Sequence, residues 1–198
     1  MGLFLLLLRV SMFESGMFEQ VKSSDCKKGD VKMLFSPFPR FLKYLRCILI
    51  GVPVWFVVGI LLTFSPELAR ELGVTGPISA GKAVMYGYIG LSIGDLTSGT
   101  FSQYFKSRKL VVGAYLAYTA ALILVYLYSN GLSPELFYTL CVLLGVGVGY
   151  WAVFVTIAAE QFGTNLRATV TTSVPNFVRG AVVPLTLGFQ SLNPSLGL

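Results

Sequence analysis

An aspartate and an arginine stand inside long apolar runs of this chain, and any chemistry it performs centres on them. Asp95 lies within the run from about Ile78 to Phe105, and Arg179 within the run from about Ala168 to Leu187. A charge held in lipid costs roughly 2.5–3.5 kcal/mol even on a lenient insertion scale, so each group needs a partner or a water-filled cavity. Helical spacing puts Tyr88, Ser92, Asp95, Gly99 and Ser102 on one face, and lines Thr172, Asn176, Arg179 and Thr186 along another. Stripes of this kind suit the wall of a solute pathway. For Asp95 the alternative is a structural polar contact between helices. Arg179 either binds an anionic or polyhydroxylated solute or pairs with Asp95. Pro175, inside the same run, can kink its helix and free a carbonyl. Tyr150, Trp151 and Trp55 offer rings that could stack on a ligand, with core or lipid-facing positions as the other reading.

Other chemistries are excluded by residue type. The chain has no histidine, which rules out a Ser-His-Asp triad and removes the commonest metal ligand. Cys26, Cys47 and Cys141 are scattered and odd in number, forming neither a disulfide framework nor a metal site. No metal and no cofactor is expected. The run Gly145-Val-Gly147-Val-Gly149 has the look of a nucleotide loop, but it lacks a lysine and a preceding strand. Gly145/Gly149 and Gly90/Gly94 instead have the spacing that lets two membrane helices approach closely.

The elements that must hold these residues are membrane helices. Apolar residues make up 55% of the chain and charged residues only 12%, about half the share in a soluble domain, with a mean hydropathy of +0.74. A span needs about 20 apolar residues. Five stretches serve: about 47–64, 78–105, 110–128, 134–159 and 168–187, making 47–198 a helical membrane bundle. Residues 1–8 are too short to span and read as the remnant of a preceding helix. Residues 9–46 read as a basic loop, in which RFLKYLR (40–46) has the base spacing of a short surface helix. Ser65 and Ser133 are expected N-caps, and Gly73 a helix stop.

The net charge of +6 does not point to nucleic acid, because the bases cluster in the connections between apolar runs. Twelve of the 15 lysines and arginines fall before the first span or in the turns 106–109 and 160–167, against Arg70 and Lys82 on the other side. By the positive-inside rule, 9–46 and those two turns face the cytoplasm of a cell membrane, inner or plasma, crossed several times.

Three motifs then resemble the C-terminal half of a major facilitator superfamily transporter. Trp151, Glu160, Phe162, Arg167 and Ala168 are similar to the W…E-x-F-x-x-x-x-R-[GA] signature of sugar-porter-like members. GTFSQYFKSRK (99–109) resembles the G-x-L-[SA]-D-R-x-G-R-[RK] loop, with Gln103 and Tyr104 in place of its Asp and Arg and one residue inserted before Arg108-Lys109. Phe13 to Phe18 resembles a degraded P-E-S-P-R motif. The resemblance implies that spans one to five correspond to helices seven to eleven of a fold in which two six-helix halves rock about a central site. It implies transport of a small solute, a sugar or a small organic anion or metabolite, often coupled to H+. It also implies that Glu160, Arg167, Arg108 and Lys109 form a cytoplasmic charge network that latches one conformation. On this reading the chain is a truncated half, to be completed by an N-terminal six-helix half.

Two other classes compete. A membrane-embedded transferase would need convergent catalytic groups, and only scattered acids are available, so the chain is not expected to be an enzyme. A non-transporting membrane subunit or relic fragment would bind partner helices through its glycine-rich faces.

Overall fold

The computed structural model describes residues 31–192. The helix remnant at 1–8, most of the 9–46 loop, Cys26 and the motif at 13–18 lie outside the described residues. Within them the chain is helical: α1 (Lys32–Phe35), α2 (Phe38–Phe56), a π-helical continuation (Val57–Leu62), α3 (Ser65–Glu71), α4 (Ala80–Tyr104), α5 (Arg108–Tyr128), α6 (Pro134–Val148), α7 (Trp151–Glu160), α8 (Thr164–Gly180) and α9 (Val182–Leu192). Among the described residues, three helical stretches are long and apolar enough to cross a membrane: Phe38–Leu62, Arg108–Tyr128 and Pro134–Glu160. The second expected span, α4, has the length but carries Lys82 and Asp95, and the fifth is divided at Ala181.

Several expectations need correction. The segment 40–46 is no separate surface helix. It is the first part of α2, continuous with the first span, and Tyr44 within it is buried. Tyr44 holds it there, donating its hydroxyl to Ser173 Oγ (2.8 Å) and meeting Phe162 and Phe177 edge-on. The fourth expected span is not one helix but two, broken at Gly149 and Tyr150. Ser65 begins α3 instead of capping it, and its buried hydroxyl has no partner among the described residues. Ser133 does cap α6, accepting from Leu136 N–H at 3.4 Å, and Gly73 ends α3 with a positive φ of 64°.

The core of the bundle is the α4–α6 pair, where small residues let two backbones touch. A methyl group at Gly90 would stand 3.0 Å from the Val146 nitrogen, and one at Gly145 would stand 2.9 Å from the Leu91 nitrogen. These neighbours are backbone atoms, which cannot swing aside, so only glycine fits. The contact also sets how α4 is rotated. Its buried face runs through Ala83, Gly87, Gly90, Gly94, Ser98 and Ser102, which leaves Tyr88 and Ser92 exposed. The expected face through Tyr88, Ser92, Asp95, Gly99 and Ser102 is therefore split.

The two ends of the bundle are distinct. At one end Arg108 pairs with Glu160, which brings the turns 106–109 and 160–167 together beside the start of α2. At the other, Gly131 N–H donates to the Leu72 carbonyl (2.9 Å) and Thr75 N–H to the Leu132 carbonyl (3.1 Å). The π-helical turn follows Pro53, whose missing N–H disturbs the regular ladder. Tyr126, fully buried on α5, donates its hydroxyl to the Leu61 carbonyl within that turn (3.1 Å). A buried carbonyl without such a donor would cost about 1–3 kcal/mol.

Candidate solute site

The break in the fourth span is what builds the site. Glycines at 145, 147 and 149 each weaken a helix by about 1 kcal/mol relative to alanine, and the chain departs from helical geometry at Gly149–Tyr150 before restarting at Trp151. A restarted helix exposes amide N–H groups with no partner inside it. Asp95 supplies one from across the bundle: its Oδ1 accepts from Ala152 N–H at 3.1 Å, and the Trp151 amide turns to the same carboxylate. A carboxylate at a helix N-terminus is further stabilised by the helix dipole. Close approach of Gly94 and Gly149 makes this possible, since a methyl at Gly149 would lie 2.7 Å from the Asp95 nitrogen.

Asp95 thus does not pair with Arg179. Arg108–Glu160 is the ion pair among the described residues. Arg179 stands on the exposed face of α8, and its guanidinium carbon sits 5.8 Å from the Trp55 ring centre and 5.9 Å from that of Trp151. The two indoles meet edge-on at 6.4 Å, so the cation lies astride a two-ring floor. Cation–π contacts of this sort contribute about 0.5–1 kcal/mol when exposed and more when dry. Arg179 also donates to Asn176 Oδ1 at 3.5 Å, and the remaining guanidinium N–H groups have no carboxylate beside them among the described residues. Trp151 is the pivot, because Asp95 holds the amide of the next residue, Ala152, and the Trp151 ring carries Arg179.

The other expected residues divide. Thr172 and Asn176 share the exposed face of α8 with Arg179, although the Thr172 hydroxyl is bonded to the Ala168 carbonyl. Asn176 also borders an open groove with Ser173 and Pro184. Tyr150 is withdrawn from the pathway: it is fully buried, and its hydroxyl donates to the Ile50 carbonyl at 2.8 Å, tying α2 to the break. At the base-rich end Glu160 and Arg108 meet, whereas Arg167 and Lys109 are exposed and pair with no acid among the described residues. Sequence reasoning missed the supports of Asp95. Tyr115 on α5 bonds the Thr97 hydroxyl (2.7 Å) and donates to the Gly94 carbonyl (3.3 Å), bracing α4 beside the carboxylate.

A cation on an aromatic floor, a broken helix capped from its neighbour and a charged pair joining two turns at one end are the features of the candidate site. The family model of the Major Facilitator Superfamily matches residues 1–183. The chain belongs to that superfamily. It is accordingly an all-helical membrane protein of a family that moves small solutes across membranes. No curated protein and no solved structure matches the chain. Among the described residues no group of His, Cys, Asp and Glu could hold a metal ion.

Proposed function

We propose that this chain supplies the C-terminal half of a secondary carrier for a small organic anion or sugar. Arg179, Asn176, Trp55 and Trp151 contact the solute, and Thr172 borders the same face. The observation that carries the proposal is the Arg179 guanidinium, held over two indoles with no acid beside it among the described residues. Its planar fork of N–H donors suits a carboxylate or vicinal hydroxyls, and the indole faces suit the apolar side of a sugar ring.

In this account Asp95 positions Trp151 and, as the sole acid of α4, carries the proton if the solute is moved with H+. Transport by alternating access requires a second six-helix half, which would cover the exposed side of Arg179. The base-rich end faces the cytoplasm of the cell membrane, where Arg108–Glu160, with Arg167 and Lys109 beside it, latches one conformation and releases it in the other.

The two tryptophans are the only ones in the chain, so their fluorescence reports on this site alone. Titration with small organic anions and with sugars should give a saturable change for one class. That change should be lost in Arg179→Ala. A folded protein whose emission responds to neither class would count against the proposal and favour a non-transporting membrane subunit.

A further inference from the structure

Apart from the solute site, a groove opens at the base-rich end between α2 and α5, with a volume of about 440 Å³. Lys43 and Arg46 on α2 and Lys109 on α5 stand around it, all three exposed. Its walls are mostly apolar, formed by Ile50, Val112, Leu116 and Ile157 of α7 with Gln161 at the rim of that helix, and Gly113 leaves a gap in the α5 side where an added methyl would touch nothing within 4 Å. Farther along, the same two stretches are tied together by Tyr126 and the Leu61 carbonyl, so the opening is confined to the end where the bases are. None of the three bases pairs with an acid among the described residues.

We propose that this groove binds an anionic phospholipid. Its phosphate would sit among Lys43, Arg46 and Lys109, and the upper part of one acyl chain would lie along Ile50, Val112 and Leu116. The polarity gradient favours a lipid over a free anion, because the bases crown walls that only hydrocarbon would cover. Bases converging from two helices on one apolar slot also differ from the general surplus of cations at this end. That surplus attracts anionic lipid diffusely and does not select a binding position. Occupancy would wedge α2 against α5 beside Arg108, where the charged pair forms.

The full chain would be purified in mild detergent and titrated with phosphatidylglycerol, phosphatidylcholine and glycerol phosphate, with bound lipid counted by native mass spectrometry. Saturable binding of phosphatidylglycerol, well above phosphatidylcholine and with no effect of glycerol phosphate, is expected. A base near the membrane surface contributes on the order of a five-fold gain in affinity, so Lys43→Gln, Arg46→Gln and Lys109→Gln together should weaken binding about a hundred-fold. A control of equal charge, Lys32→Gln, Lys106→Gln and Arg167→Gln, should retain most of it. Gly113→Leu changes no charge and fills the slot, and should also abolish the selective binding. Equal loss in both triple variants, or undiminished binding in Gly113→Leu, would overturn the assignment. Competition by glycerol phosphate would overturn the lipid as occupant and leave a phosphate site.

Discussion

Removing the Asp95 carboxylate should loosen the start of α7 before it affects anything else. In Asp95→Ala the Ala152 N–H, now bonded at 3.1 Å, loses its acceptor, and the first turn of α7 loses the anion at its positive end. Loss of such a cap costs about 1 kcal/mol. A partly buried charge at a helix terminus adds up to about 2 kcal/mol. Together these give about 2–3 kcal/mol, or a fall of about 4–12 °C in Tm for a chain of this size. Asp95→Asn keeps an acceptor oxygen in place and loses only the charge, so it should cost about 1–2 kcal/mol. Thermal unfolding in detergent, followed by tryptophan emission, measures both effects, because Trp151 lies at the affected turn. The expected order of stability is wild type, then Asn, then Ala, with the Ala variant's emission altered before unfolding. An Asp95→Ala protein as stable as wild type with unchanged emission would refute the capping argument and leave Asp95 with a purely functional role.

Other consequences follow from the packing. Gly90→Val and Gly145→Val should abolish a monodisperse bundle on size-exclusion chromatography, since each side chain meets backbone and the cost exceeds the usual 1–3 kcal/mol or so of overpacking. Gly113→Ala, on the open side of α5, should instead raise the unfolding temperature slightly, by the roughly 1 kcal/mol of helix propensity it gains. Tyr126→Phe should destabilise by about 1–3 kcal/mol by orphaning the Leu61 carbonyl, read in the same unfolding assay. Arg108 and Glu160 are 40% and 55% exposed, so a double-mutant cycle should return no more than about 1 kcal/mol at low salt and less at high salt. Exchanging the two charges should restore what either single change loses.

What the sequence disclosed was mostly what membranes impose. Apolar runs, glycine spacing and the asymmetry of the bases are local features, and the spacing of Gly90/Gly94 and Gly145/Gly149 marks helices able to approach closely from residue type alone. Of the expected charge network, Glu160 meets Arg108 from the other motif, whereas Arg167 of its own signature stays exposed. What stayed hidden depends on long-range geometry. That Asp95 would meet a helix N-terminus and not Arg179 requires a break at Gly149–Tyr150, and hydropathy does not distinguish a broken span from a straight one. Tyr150 reads from sequence as a ligand-stacking, core or lipid-facing ring alike, because nothing local indicates that its hydroxyl would find the Ile50 carbonyl, 100 residues earlier in the chain. The face of α4 was misplaced for a related reason: polar residues set the expected rotation, whereas glycine contact with α6 set the actual one. Likewise RFLKYLR read as a surface helix until Tyr44 found Ser173 on α8.

The most direct test of the account is uptake by the proposed carrier, this chain joined to an N-terminal six-helix half, reconstituted in liposomes and measured for Arg179→Ala and Arg179→Lys. A charge-assisted hydrogen bond contributes about 1.5–3 kcal/mol, so Arg179→Ala should lower the apparent solute affinity about ten- to a hundred-fold. Lysine keeps the charge but not the fork, and should recover only part of that loss. Uptake that is normal in Arg179→Ala, in a carrier shown to be folded, would contradict the assignment of the solute site.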